Sequence, residues 1–87
     1  MKRQDIFNEI DAERSYQDST WGPKLDQANT PNDWVAYITK YAGRAVTMPF
    51  DPNVFRAQLI KVAALATAAL EQDDYAPRHY DYMERLG

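Results

Sequence analysis

The sequence predicts an all-α protein: a helical hairpin with flanking helices, assembled into an oligomeric helical bundle. Apolar residues recur at helical spacing in three segments, and each segment is bounded by residues that cap or break helices. Neither the alternation of a half-buried strand nor an Asn-Gly or Asp-Gly hairpin turn is present, so no strand competes. A chain of 87 residues has room for one small domain, assigned to residues 1–87.

The first helix is predicted over about residues 3–18. Its apolar positions lie near helical spacing between charged residues: Ile6, Phe7, Ile10 and Tyr16. The Gly22-Pro23 pair is a strong helix breaker. We therefore expect residues 22–30 (GPKLDQANT) to form a polar loop.

The second helix has a well-marked start. Thr30 is a suitable N-cap, Pro31 suits the first helical position, and Asp33 complements the helix dipole in the first turn. Its predicted apolar stripe is Trp34, Ile38, Tyr41, Ala42 and Ala45.

The third helix, predicted over about residues 52–72 behind the N-cap Asp51, is apolar almost all round. A helix without a polar side must be covered on more than one side, so we expect a homo-oligomer, at least a dimer. Small residues let helices approach closely, and the expected interface residues are Ala63, Ala64, Ala66 or Ala68. A short fourth helix is expected from Pro77.

Composition excludes several kinds of chemistry and location. The chain has no cysteine, which excludes disulfides and Cys–His catalysis and is typical of a reducing compartment, so a cytoplasmic protein is expected. A net charge of −3 argues against nucleic acid as a partner. The longest apolar candidate, residues 62–70, is shorter than the roughly 20 residues of a membrane span, so no membrane association is expected.

No cofactor and no metal are expected from the acidic and histidine residues. The single histidine, His79, is expected to be solvated. Glu71, Asp73 and Asp74 lie at the end of the third helix, where carboxylates oppose the dipole, so this cluster is expected to mark the exit of the chain to solvent.

A run of motif residues precedes the predicted hairpin. The segment ERSYQDSTWG supplies Glu13, Arg14, Gln17, Asp18, Trp21 and Gly22, and the hairpin adds Trp34 and Gly43. Residues 59–71 (LIKVAALATAALE) complete the pattern. Over about residues 9–72 the chain resembles the MazG-like, all-α nucleoside triphosphate pyrophosphohydrolases, particularly their short phage and bacterial versions.

The chain departs from that family where the family binds metal. The family carries Glu-Glu-x-x-Glu on one helix and Glu-x-x-Asp on the next, and such acids would hold Mg²⁺ on a triphosphate. The corresponding positions here are Lys40, Tyr41, Arg44, Gln58 and Lys61. Three of these are cations, which repel Mg²⁺. The resemblance therefore implies a non-catalytic relative, a pseudoenzyme, and suggests a phage or prophage origin in the host cytoplasm.

We expect the replaced site to meet an anion directly. Arg44 would bind a phosphate with its fork, and Lys40 and Lys61 would act as point charges. The other expected ligand-binding residues are Tyr37, Tyr41, Arg14, Gln17 and Trp21. The ligand would be a nucleotide or similar anionic small molecule, or the partner would be a host protein.

Other interpretations of the same residues stay open. The cations could pair with carboxylates or be solvated, the tyrosines could be core, Trp21 could be a packing anchor, and Arg14 with Gln17 could form a structural network. One alternative function is an active pyrophosphohydrolase with non-standard metal ligands, such as Glu13, Asp18 and Glu71. Another is a small regulatory protein–protein interaction module that uses some of the six tyrosines.

Overall fold

The computed structural model describes residues 1–72, which form three helices: α1 (Arg3–Ala28), α2 (Pro31–Gly43) and α3 (Pro52–Leu70). Across these residues there is no strand, and the all-α prediction is confirmed. The expected helix from Pro77, as well as Asp73, Asp74 and His79, lies outside the described residues.

α1 is longer than predicted, because residues 23–28 are helical and do not form a loop. Gly22 interrupts the helical backbone with φ 76° and ψ 166°, a conformation that glycine adopts without the steric penalty of a Cβ. Helix resumes at Pro23, a residue type that suits a first helical position. The prediction of a polar loop is therefore wrong for residues 23–28, whereas the first helical run does stop at Gly22 as predicted and a second run follows the bend.

The predicted starts of α2 and α3 are confirmed by their caps. Thr30 and Asp33 form a reciprocal capping box: the Asp33 N–H donates to Thr30 Oγ1 at 3.1 Å, and the Thr30 N–H donates to Asp33 Oδ2 at 2.9 Å. Asp51 Oδ1 accepts from the N–H of Asn53 at 2.9 Å at the start of α3. These caps fix where both helices begin.

α3 is the helix on which the other two pack. Both α1 and α2 contact α3, whereas among the described helices α1 and α2 do not pack on each other. The buried cluster between α2 and α3 consists of Trp34, Leu65 and Ala68, with Ile38, Tyr41 and Ala69 packed against it. Ala42, predicted in this stripe, is exposed, and Ala45 is buried just beyond the end of α2. α3 therefore forms the floor of the gap between α1 and α2.

The small residues of α3 serve the chain's own packing. Ala64 and Ala68 are 0% and 1% exposed within the single chain, so they cannot form the expected interface between copies. That part of the prediction is wrong, because α1 and α2 already cover these positions.

By length and composition alone, the 19-residue α3 is apolar enough to cross a membrane. The apolar stretch predicted over residues 62–70 is thus part of a longer helix, which begins at Pro52 and includes Arg56 and Lys61. Only 17% of the membrane-length stretch of α3 is buried within the single chain, so α1 and α2 cover part of α3 and leave the rest of its surface open.

A buried arginine joins α1 to the end of α3. Arg14 Nε and Nη2 donate to the two carboxylate oxygens of Glu71 at 3.0 and 3.3 Å, and Nη2 also donates to Asp18 Oδ1 at 2.8 Å. Arg14 Nη1 donates to Gln17 Oε1 at 3.3 Å, which confirms the predicted Arg14–Gln17 network. The hydrogen bond to Glu71 raises the pKa of Arg14. Glu71 therefore anchors the end of α3 to α1, while its side chain, 51% exposed, still faces solvent at the helix end as expected.

Replacing Arg14 by alanine is expected to lower the free energy of unfolding by about 2 to 3 kcal/mol. The change removes both ion pairs and leaves the buried Gln17 amide without its donor, while the half-exposed carboxylates regain water. Urea denaturation measures this loss.

The matched control is Arg56→Ala, which breaks an ion pair to Glu9 of the same 3.0 Å length between side chains 45% and 41% exposed. Because exposed pairs contribute little, this variant should lose about 1 kcal/mol or less. Equal losses in the two variants would contradict a special role for Arg14.

Candidate functional site

Three cations surround one tyrosine ring where α2 meets α3. Lys61 Nζ lies 4.9 Å from the centroid of Tyr41, Lys40 Nζ lies 5.5 Å from it, and Arg44 Cζ lies 5.7 Å from it. The two helices thus bring together the cations that the sequence placed on separate segments. We call Lys40, Arg44 and Lys61 the cationic cluster.

The cationic cluster has no acidic counterpart in the described part of the chain. Within residues 1–72, the ion pairs of 4.0 Å or less involve Arg14 and Arg56, and none involves Lys40, Arg44 or Lys61. The Tyr41 ring face attracts the cations but carries no net charge, so it cannot neutralise three of them. This leaves a concentrated positive potential on an otherwise acidic protein.

A cavity of about 190 Å³ adjoins the cationic cluster: it is lined by Lys40 of the cluster and by Tyr41, the ring that the cluster surrounds. Its floor is buried and its rim is half-exposed. The buried floor residues are Gln17, Asn29, Trp34, Leu65 and Ala68, and the exposed apolar rim residues are Trp21, Leu25 and Tyr37. Ligand sites usually exceed roughly 300 Å³, so this cavity suits a single ring system and not a whole nucleotide.

The kink in α1 supplies one wall of this cavity. Gln17 and Trp21 are four residues apart in the helical run before Gly22, which places them on one side of α1, and Leu25 joins them from the run after the bend. The short segment after the bend adds Asp26. Tyr37 is 42% exposed, which contradicts its interpretation as core, whereas Tyr41 packs against the buried cluster in agreement with that interpretation. Trp21, like Tyr37, is 42% exposed. Both are left uncovered because α1 and α2 do not meet.

Two residues of the cavity floor hold unused hydrogen-bond donors. Gln17 Nε2 and Trp34 Nε1 are buried and have no hydrogen-bond partner among the described residues. Gln58 Oε1 on α3 is likewise a buried acceptor without a partner there. Buried polar groups are normally paired, so such groups point to missing partners. Acceptor atoms of a ligand or of water would satisfy the two donors.

On the far side of Asp26 lies a second, open cleft of about 340 Å³, lined by Arg14, Asp18, Asp26, Gln27, Glu71 and Gln72. Burial raises the pKa of Asp26, and the nearby Asp18 and Glu71 carboxylates raise it further against the opposing effect of Arg14. Asp26 lines the cavity and this cleft, and it is a carboxylate in an unfavourable place.

The acids of the described chain do not assemble into a metal site. Residues 1–72 contain no group of three or more His, Cys, Asp or Glu side chains placed to hold a metal ion. Asp18 and Glu71, two of the ligands considered for an active enzyme, both accept hydrogen bonds from Arg14. A metal ion there would have to displace the arginine.

Seven of the eight predicted ligand-binding residues form one continuous region, and the eighth, Arg14, lies in the adjoining cleft. Five of them line the cavity: Gln17, Trp21, Tyr37, Lys40 and Tyr41. Arg44 and Lys61 join through the Tyr41 ring, while Arg14 lies in the adjoining cleft and holds Gln17. Sequence reasoning missed Leu25, Asp26 and Asn29, because their segment was predicted to be a loop. The helix over residues 23–28 could have been predicted from Pro23, which suits a first helical position, and from the helix-compatible residues that follow it.

No protein-family model matches the sequence, and no curated protein or solved structure is significantly similar to it.

Replacing Asp26 by asparagine is expected to stabilise the protein at neutral pH, with a rise in melting temperature of about 2 to 4 °C. Because the pKa of Asp26 is raised on folding, the folded state disfavours the charged carboxylate, and the resulting loss of stability appears as the pH rises through the unfolded and then the folded pKa. The gain should therefore shrink as the pH falls toward the ordinary aspartate pKa of about 3.9. Thermal melts across this pH range measure it.

The matched control is Asp11→Asn, the same change at an exposed position of α1. It should leave the melting temperature nearly unchanged at both ends of the pH range. If Asp26→Asn is the less stable protein at pH 7, Asp26 has a stabilising partner and the description of its surroundings is wrong.

Proposed function

We propose that this protein is a non-catalytic, metal-independent binding module for an anionic, nucleotide-like ligand. The observation that carries the proposal is the cationic cluster: three cations within 5.7 Å of one ring centroid, without an ion-paired carboxylate in residues 1–72. A phosphate would neutralise this cluster, with Arg44 as a fork and the two lysines as point charges.

The cavity provides the place for the other end of such a ligand. A phosphate on the cationic cluster and a ring between Trp21 and Tyr37 would belong to one molecule, since Lys40 and Tyr41 border both places. Half-exposed aromatic side chains at the rim can stack on a planar ring. The volume of about 190 Å³ is consistent with a ring inside the cavity and a sugar and phosphate outside it.

On the basis of its resemblance to the MazG-like pyrophosphohydrolases, we propose that the protein is a degenerate relative of these enzymes. The retained motif residues Arg14, Gln17, Trp21 and Trp34 lie around the cavity and its neighbouring cleft. Of the five positions that correspond to metal ligands in the family, three are cations here and lie around the fourth, Tyr41. A frame kept without metal ligands favours binding over hydrolysis, and a phage or prophage origin remains part of the proposal on the resemblance alone.

The alternative of an active enzyme requires carboxylates that are free to bind Mg²⁺. Asp18 and Glu71 are occupied by Arg14, and the nearest large positive potential would repel the ion. The interaction-module alternative relies on tyrosines, of which Tyr16 and Tyr37 are exposed, but Tyr37 borders the cavity and Tyr16 does not line it. The binding module is therefore the function that the geometry favours.

Calorimetric titration with nucleoside monophosphates and triphosphates in the presence of EDTA tests the proposal. Binding is expected without metal, and Arg44→Gln should weaken it about ten- to a hundredfold, the loss of one charge-assisted contact. The fold should survive, because Arg44 is exposed.

The control variant is Arg56→Gln, which removes the same charge from a part of α3 that does not border the cavity. It should bind like the unchanged protein. An absolute requirement for Mg²⁺, or identical losses in both variants, would reject a site built on the cationic cluster.

We further propose that the protein is at least a dimer, covered by a second copy of itself along the exposed side of α3. Large apolar side chains remain open to solvent there and at the neighbouring end of α1, including Phe7, Phe50, Phe55, Leu59 and Leu70. A groove of about 490 Å³, lined by residues such as Ile6, Phe55 and Leu59, runs between the starts of α1 and α3. Exposed apolar surface of this kind marks association sites in soluble proteins.

Light scattering should therefore give at least twice the 10.0 kDa chain mass at low micromolar concentration. Leu59→Glu should shift the protein toward the monomer, because it places a charge in the proposed interface. Val35→Glu, the same kind of change at an exposed position of α2, serves as control. A stable folded monomer without any substitution would contradict the proposed dimer.

A further inference from the structure

Asp26 is the acidic residue in the lining of the cavity. It sits in the segment after the bend of α1 and also borders the cleft beside Arg14. Within residues 1–72 its carboxylate accepts no side-chain or backbone hydrogen bond and forms no ion pair within 4.0 Å. Asp26 therefore borders a ring-sized cavity on one side and the cleft on the other, and its acceptor oxygens are unused among the described residues.

The surroundings of Asp26 do not compensate its charge. Arg14, the cation of α1 whose charge acts on Asp26, already donates to Glu71, Asp18 and Gln17. The charged groups that face Asp26 are Arg14 and Asp18 of α1, Glu71 at the end of α3, and Lys40 of α2 across the cavity. Burial disfavours the ionised form, as the raised pKa of Asp26 records. An ionised carboxylate in these surroundings lowers the stability of the folded protein, and a ligand that donates hydrogen bonds to it would offset this loss.

Resting on the proposed function, we propose that Asp26 reads the ring of the ligand and selects guanine nucleotides. A carboxylate has two acceptor oxygens and no donor, so its best planar partner presents two adjacent N–H groups. Guanine does so with its ring N1–H and its exocyclic 2-amino group. Hypoxanthine and uracil present a single N–H on this edge, and adenine and cytosine place an acceptor beside their amino group.

The remaining lining of the cavity agrees with this orientation. Gln17 and Trp34 on the floor hold unused donors, which the guanine carbonyl next to N1 and the ring nitrogen N7 on the adjoining edge can satisfy. Lys40 borders the cavity and belongs to the cationic cluster, so the phosphate end of the same nucleotide points toward α2. Acceptors at one wall and cations at the other give the site a direction.

The test is a set of calorimetric titrations with GMP, IMP, XMP and UMP in EDTA, with the unchanged protein and with Asp26→Asn. The unchanged protein should bind GMP about tenfold or more tightly than IMP, which lacks only the 2-amino group. Asp26→Asn should lose this preference and gain affinity for XMP, whose carbonyl at the same position accepts from the new amide N–H. Because this variant is expected to be more stable than the unchanged protein, lost GMP binding would not reflect unfolding.

Asp11→Asn, which removes the same charge at an exposed site, should keep the preference for GMP. Equal binding of GMP and IMP that Asp26→Asn leaves unchanged would overturn the assignment of Asp26 while the proposed binding module stands. Absence of binding by all four nucleotides would overturn both.

Discussion

The packing of α1 and α2 on α3, without contact between the two, determines the rest of the structure. Leu65 and Ala68 of α3 are buried where the other helices cover them, and between α1 and α2 the same helix surface becomes the floor of a cavity. Small side chains on α3 let both helices approach it closely. Aromatic residues that would otherwise fill a core, Trp21 and Tyr37, are left at the rim of that gap.

The same arrangement separates the charges of the molecule. At one end, Arg14 gathers Asp18 and Glu71 and joins the end of α3 to α1. At the other, the cationic cluster surrounds Tyr41 without an ion-paired carboxylate in the described residues. Acids bound to a buried arginine are unavailable to a metal, and cations without acids attract an anion. The charge distribution thus favours direct phosphate binding over metal-assisted hydrolysis.

Local signals in the sequence were sufficient for α2 and α3. Thr30, Asp33 and Asp51 cap helices through contacts within a few residues, and such contacts are legible without knowledge of the fold. The convergence of Lys40, Arg44 and Lys61 was also anticipated, through the resemblance to a family whose two helices meet there. The prediction that failed was the loop after Gly22, because a glycine–proline pair is compatible both with a loop and with a helix that resumes after a bend.

That failure hid part of the site. Asp26 and Asn29 line the cavity only because the chain stays helical after the bend. The partner of Glu71 was hidden for a different reason, since 57 residues separate it from Arg14 and only tertiary packing brings them together. Burial of Ala64 and Ala68 within the chain likewise depends on how α1 and α2 are placed. Helix caps could be predicted from neighbouring residues, whereas the Arg14–Glu71 contact and the burial of Ala64 and Ala68 depend on tertiary packing.

The central claim is that the cavity and the cationic cluster form one site that binds a nucleotide without metal. The two tryptophans of the chain, Trp21 and Trp34, both line the cavity, so their indole N–H signals report on it directly. We expect both signals to move in a heteronuclear NMR titration of the ¹⁵N-labelled protein with GMP in EDTA, and Arg44→Gln to require about ten- to a hundredfold more GMP for the same movement. Binding of GMP that moves neither indole signal would place the ligand elsewhere and contradict the account.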